Sequence, residues 1–260
     1  MKHSKALKVF LYSIGIITVL WLTIPTLLII PVSFTGQQSF AFPPKSWSFV
    51  NYENFFSNPA WIDSLILSIK IAVVVTVIST VVGTLASYAL VIKKFRGSEI
   101  FQGVFLAPLI VPGIVVAVAV YLVFLTTGLV GTFWGYVGAH CVLAIPFVVV
   151  NVTASLTNFD TQLLRAGANL GASPLTVFRK ITLPIILPGV FAGAIFAFVT
   201  SFDEVVVSLF IQAPGIQTLP VKMFISVANE VDPTIAAAAT IVLLISASLL
   251  AVANMRNRKE

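Results

Sequence analysis

DTQLLRAGANLGASPLTVFRKITLPIILP, running from Asp160 to Pro188, is a folded polar interruption in a chain that is otherwise mostly apolar. Asp160 can cap a helix by accepting from its free N–H groups, and Phe159, Leu163, Ala166 and Leu170 then recur at helical spacing on one face. Gly171 can take the left-handed backbone that ends this helix. Ser173 and Pro174 supply a cap and a preset first residue for a second one. Leu175, Phe178 and Ile181 give the second helix an apolar side. Arg179 and Lys180 face water or headgroups before Pro184 and Pro188, after which the chain turns apolar again. The pattern predicts a helix, a glycine elbow and a helix over residues 158–184.

Outward from this stretch the composition sets the class. The 260 residues are 58% hydrophobic and 9% charged, with a mean hydropathy of +1.06, far from the roughly one-quarter charged residues of a soluble protein. This is an all-α integral membrane protein. The lone Cys141 excludes an internal disulfide and suits packing within a span. A formal charge of +6 suggests nucleic acid in a soluble chain, but here the cations cluster at the ends of apolar runs, which points to a lipid bilayer and not to nucleic acid.

Apolar runs long enough for the roughly 20 residues of a span occupy about 9–32, 65–92, 100–125, 133–153, 188–210 and 234–253. Lys2, Lys5 and Lys8 precede the first, which is too long for a secretory core and has no small-residue cleavage site at its end, so it reads as an uncleaved span. Residues 33–63 interleave Trp47, Phe49, Tyr52, Phe55 and Phe56 with polar residues, as either an interfacial belt or a docking surface. Within the third span Pro108, Pro112 and Gly113 must loosen the backbone ladder, either to line a pathway or as a packing kink. The fourth carries His140, expected as a satisfied interior histidine and not as a ligand or proton carrier. Residues 212–233 read as a loop containing Pro and Gly.

If every run crosses, Lys93, Lys94, Arg96, Arg165, Arg179, Lys180, Arg256, Arg258 and Lys259 share one side with the N-terminal lysines. Lys45 and Lys222 fall on the other. The positive-inside rule then places both termini and the elbow in the cytoplasm. The sequence has no Walker-type phosphate loop, no HExxH and no GxSxG, and two histidines cannot build a typical zinc site. The chain is therefore expected to be no enzyme and to bind no cofactor itself.

The elbow resembles the cytoplasmic signature of binding-protein-dependent ABC importer permeases of type I. That family's loop has Glu-Ala-Ala, three residues, Gly, nine residues and Ile-x-Leu-Pro. Here Arg165, Ala166 and Gly167 hold the first three places and Gly171, Ile181, Leu183 and Pro184 complete the spacing. An arginine thus stands where the family has glutamate. Ser201-Phe202-Asp203-Glu204, Pro214-Gly215-x-Gln217-Thr218-Leu219-Pro220 and Asp232-Pro233-x-Ile235-x-Ala237 are similar to the spermidine/putrescine branch of that family. The resemblance implies six transmembrane helices with a cytoplasmic coupling helix between spans four and five. It also implies a bacterial inner membrane location, a second homologous permease subunit, two ATPase subunits carrying MgATP and an extracytoplasmic solute-binding protein. The cargo it implies is a polyamine or related amine; another small solute, such as an amino acid-like compound or an opine, is the alternative. A secondary transporter or a membrane scaffold would not need the elbow, and no internal repeat of the secondary-transporter kind is evident.

Asp203 and Glu204 are the acidic residues of the predicted spans, and carboxylates there should face protein or a cavity. On a continuous fifth helix, Thr200, Glu204 and Ser208 recur at i, i+4 and i+8 as one polar stripe, with Asp203 about 100° away. Glu204 is expected to meet an amine cargo and Asp203 to brace a neighbouring helix or the outer gate. The alternative is that both pair with Lys70, Lys222 or a partner's cation.

Overall fold

A computed structural model describes residues 5–229 and 232–257. The described residues are mostly helical, with two isolated bridges, Thr35 to Trp47 and Ala213 to Ile216, as the extended pairings. The chain divides into two compact units, residues 1–62 with 225–244 and residues 63–224 with 245–260.

In the first unit, α1 (Lys5–Ser33) is apolar all round and exposed along nearly its whole length. Such a helix needs lipid or another chain around it. The segment after it is less irregular than its composition suggests: α2 (Val50–Ser57) forms within it. Asn51 explains the local order, its Nδ2 donating to the carbonyls of Ser33 at 3.1 Å and Thr35 at 2.8 Å. The aromatics divide into two groups, Phe34 with Phe49 and Tyr52, and Phe55 with Phe56 and Trp61. Phe55 and Trp61 are buried while Trp47, Phe49 and Phe56 stay exposed.

In the second unit, α3 (Pro59–Tyr88, entering at Asp63) continues through a wide π-helical turn, Ala89–Lys93. Lys94 ends it in a left-handed conformation, φ +36°. The third apolar run is not one straight span. It is α4 (Ser98–Ile110) and α5 (Gly113–Thr127), bent by 106°. Pro112 supplies no N–H and holds an extended backbone (φ −54°, ψ 133°), so the ladder stops there.

The centre of this unit is α6 (Phe133–Thr157), capped by the Thr132 hydroxyl on Gly135 N at 3.0 Å. Tyr136, His140, Ala144, Val148 and Val152 are buried along it. Its main neighbour is α9 (Leu183–Phe202). Lipid removes the usual hydrophobic drive between helices, so the crossing depends on close backbone approach at small residues. A Cβ on Gly193 would lie 2.9 Å from the Val148 Cα, and one on Gly189 would collide with the Ser155 hydroxyl and the Asn151 carbonyl. From α3, a Cβ on Gly83 would lie 2.7 Å from the Val148 Cβ.

Two further boundaries depart from the sequence expectation. The helix leaving the elbow does not pause at Pro184 or Pro188. It starts as α8 (Pro174–Val177), widens through a π turn at Phe178–Thr182 and runs straight into α9, making one apolar helix from Pro174 to Phe202. At its far end the helix stops at Phe202, and α10 (Val206–Ile211) begins afresh. The predicted loop 212–233 contains α11 (Leu219–Asn229), followed by α12 (Thr234–Asn257). Among the described residues, Leu7–Ser33, Pro59–Lys93, Phe133–Thr157 and Pro174–Phe202 are long and apolar enough to cross a membrane, and the bent pair makes a fifth if it is one span. Tyr88 meets Phe178 edge-on, ring centres 5.1 Å apart, tying one π turn to the other.

Candidate functional site

The elbow forms from local chemistry. Asp160 Oδ1 accepts from Gln162 N at 2.8 Å and starts α7 (Gln162–Asn169). At its end Gly171 sits at φ +77°, where a side chain would be strained, and Ala172 N reaches back to the Gly167 carbonyl at 3.1 Å. The Ser173 hydroxyl accepts from Thr176 N at 3.3 Å, with Pro174 as the first residue of α8. A Cβ on Gly167 would come within 3.0 Å of Val177 and 3.2 Å of Ile181. Gly167 therefore lets α7 lie directly against the second helix.

The buried side of the elbow differs from the expected one. Phe159, Gly167, Val177 and Thr182 are buried, whereas Leu163, Ala166, Leu170 and Leu175 are exposed, Leu170 to 87% and Leu175 to 65%. The apolar stripe read from α7 is real, but this chain does not cover it. Arg165, Arg179, Lys180 and Pro184 are also exposed, while Ile181 and Leu183 are half-buried. The arrangement offers leucines edged by cations to something outside the chain.

At the other end of the same long helix, the backbone break at 203–205 brings together side chains that a continuous helix would separate. Glu204 turns inward and caps α10, its Oε1 accepting from Val207 N and its Oε2 from Ser208 N, both at 2.9 Å. A carboxylate there is favoured by the partial positive charge of the helix start. His140, 1% exposed, lies between the two helix pieces. Its Nδ1 is 2.9 Å from the Ser201 hydroxyl and its Nε2 2.9 Å from the Ser208 hydroxyl. The Glu204 carboxylate, 9% exposed, is 3.9 Å from that Nε2. Below it the Tyr136 ring stands edge-on to His140 and its hydroxyl donates to the Ile216 carbonyl at 2.8 Å. Gly131 N donates to Ile211 O at 2.8 Å and Leu219 N to the Ser68 hydroxyl at 2.8 Å, fastening the following loop to neighbouring helices.

The predicted stripe of Thr200, Glu204 and Ser208 on one helix face is thus corrected. No single helix carries all three, because the α-helical ladder ends at Phe202. Glu204 and Ser208 still meet, but through a cap. Thr200 is half-buried one residue before Ser201, which takes the histidine contact instead. Asp203 is exposed at the break while Glu204 is turned inward. His140 is the satisfied interior histidine expected from the sequence, but Ser201 and Ser208 were not expected as its partners. The usable signal was the spacing of Ser201 and Ser208, seven residues apart around an acid, opposite a buried histidine.

An elbow between long apolar helices, with a broken helix beyond it, defines a multi-helix membrane protein. Residues 79–259 match the family of binding-protein-dependent transport system inner membrane components, and the chain belongs to that family. It is 33% identical to the spermidine/putrescine transport system permease protein PotC of Haemophilus influenzae over 240 residues, 92% of this chain and 93% of that one. It is also 33% identical to the putrescine transport system permease protein PotI of Escherichia coli K12, over 76% of this chain and 73% of that one. In fold it is similar to a chain of a bacterial ABC transporter involved in import of the acidic polysaccharide alginate, with a TM-score of 0.72 at 14% identity and 99% of both chains covered. The protein is accordingly a multi-pass component of a bacterial inner membrane.

Proposed function

We propose that this chain is the permease subunit of an ATP-driven importer that carries a polyamine or related amine into the cytoplasm. The observation that supports this best is the similarity to PotC, which runs over nearly the whole of both chains. Six crossings with both termini inside, the elbow in the cytoplasm and residues 33–63 outside agree with the distribution of Lys and Arg.

In this reading the exposed leucines and cations of the elbow are the face that a separate ATPase subunit covers. Arg165, Ala166 and Pro184 lie on that face, and Gly167, Gly171, Ile181 and Leu183 hold it in shape. Two ATPase subunits supply MgATP chemistry, a second homologous permease completes the membrane core, and an extracytoplasmic binding protein delivers cargo. Because α8, the π turn and α9 form one helix, a push at the elbow is transmitted along about 29 residues to the break at Asp203. Thr200, Asp203, Glu204 and Ser208 form the gate region. The roles expected from the sequence, Glu204 toward the amine and Asp203 as a brace, are exchanged in this reading. Glu204 is committed to the α10 cap and holds the broken helix in place, while the exposed Asp203 offers a carboxylate to a passing ammonium group.

The test is uptake of labelled spermidine and putrescine by the complete complex in proteoliposomes with ATP inside. ATP-dependent uptake that survives collapse of the membrane potential is expected. ATP hydrolysis stimulated by a non-amine solute, with no amine uptake, would overturn the cargo and leave the permease class standing.

A further inference from the structure

One cavity in the first unit, remote in sequence from the elbow and the capped break, is walled by amide and carboxylate side chains. It has a volume of about 440 Å³, within the range of small-ligand sites, and Gln37, Gln38, Asn51, Asn54 and Asp232 line it. Its wall is held in shape by its own hydrogen bonds. Gly36 N donates to Ser46 O at 3.0 Å and Ser48 N to Phe34 O at 2.7 Å, while the Ser33 and Tyr52 hydroxyls lie 2.7 Å apart.

The hydrogen-bond inventory fixes what this wall can accept. Asn51, 4% exposed, commits its two amide hydrogens to the carbonyls of Ser33 and Thr35, so toward a guest it offers its Oδ1 acceptor. Asp232 Oδ1 accepts from Thr234 N at 2.9 Å at the start of α12, and an ionised carboxylate keeps further acceptor positions. The helix start contributes about half a positive charge, which one full carboxylate outweighs. Gln37, Gln38 and Asn54 can each turn a carbonyl oxygen to the same guest. Val50 and Pro233 add apolar wall for a hydrocarbon chain.

We propose that this cavity binds the ammonium end of an alkylamine, at a site distinct from the capped break. That the amine is cargo rests on the polyamine reading above; the lining itself supplies one carboxylate and several carbonyl acceptors for an ammonium group. With residues 33–63 outside, the cavity is reached from the side where cargo arrives.

The experiment is calorimetry on the reconstituted complex without its binding protein, using spermidine and n-butylamine as probes. Asp232→Asn keeps an Oδ1 for the Thr234 N–H and removes the charge, so the helix start is preserved. Asn54→Asp adds a second carboxylate to the wall, a gain that misfolding cannot imitate. The expected result is a Kd for both amines raised about tenfold in Asp232→Asn and lowered several-fold in Asn54→Asp. Amine affinities unchanged in both variants, in a wild type that imports spermidine, overturn the site and leave the polyamine reading intact. Asp232-dependent n-butylamine binding in a wild type that imports no polyamine does the reverse. In a parallel pull-down with the binding protein added, loss of its capture in Asp232→Asn with unchanged amine affinity would make the cavity a protein socket and overturn the proposal.

Discussion

His140 Nε2 lies 3.9 Å from Glu204 Oε2, and both groups touch Ser208, one through its hydroxyl and one through its backbone N–H. The histidine and the glutamate therefore hold the same turn of α10 from two sides. Removing either should loosen the same piece of backbone, and the two losses should not add. Glu204→Ala is expected to cost about 1–2 kcal/mol from the lost cap, and His140→Phe a comparable amount from the orphaned serines. A double-mutant cycle on thermal unfolding of the detergent-solubilised protein should give a coupling of at least about 0.5 kcal/mol. Strict additivity would show that the two act independently.

Gly171 has open space where a Cβ would go but a backbone at φ +77°. The obstacle to substitution is thus conformation and not crowding. Gly171→Val should strain the elbow by about 1–2 kcal/mol and lower substrate-stimulated ATP hydrolysis, while the chain still inserts. Gly171→Asn, which tolerates the left-handed region, should retain most coupling. Equal activity of the two variants would contradict this account.

Gly167 presents the opposite case, an ordinary helical backbone with a neighbour only 3.0 Å from the missing Cβ. The facing atoms are the methyl groups of Val177 and Ile181, which can yield a few tenths of an ångström. Gly167→Ala should therefore couple almost normally. Gly167→Leu should pry α7 from the second helix and release the ATPase, measured as the fraction of ATPase subunit retained on the purified complex.

The crossing of α6 and α9 should be the least forgiving place in the second unit. At Gly189 the collision is with the Ser155 hydroxyl and the Asn151 backbone carbonyl, at Gly193 with the Val148 backbone. Backbone cannot move aside as a methyl can, so Gly193→Leu should cost about 1–3 kcal/mol from overpacking and reduce the amount of folded protein in the membrane. Wild-type expression and melting temperature in that variant would show that the helices part without penalty.

How much of this was legible in the sequence depends on how local each feature is. The elbow was readable because Asp160, Gly171, Ser173 and Pro174 act on backbone within four residues of themselves. The site of the bend between α4 and α5 was readable from Pro112 and Gly113, but its 106° angle was not, since a missing hydrogen bond permits a bend without setting its size. The end of α9 left no such mark. Ser201-Phe202-Asp203-Glu204-Val205 has neither Pro nor Gly, and the helix stops where the Glu204 carboxylate caps the next helix, beside a histidine more than sixty residues away. The outward leucines of α7 misled for a related reason. Helical periodicity identifies an apolar face but not the molecule that covers it.

Val148 receives close contact from two helices at once, Gly83 on α3 and Gly193 on α9. Positions 83, 148 and 193 are distant in the chain yet divide a single volume among them. Mutational drift at one should be constrained by the current occupants of the others: a larger residue at 148 closes both glycine positions to change, and a smaller one relieves position 83, while position 193 stays closed by the backbone at 148. Across diverging lineages these three sites should record a shared substitution history, legible as correlated change in a way that their separate side-chain chemistries would never suggest.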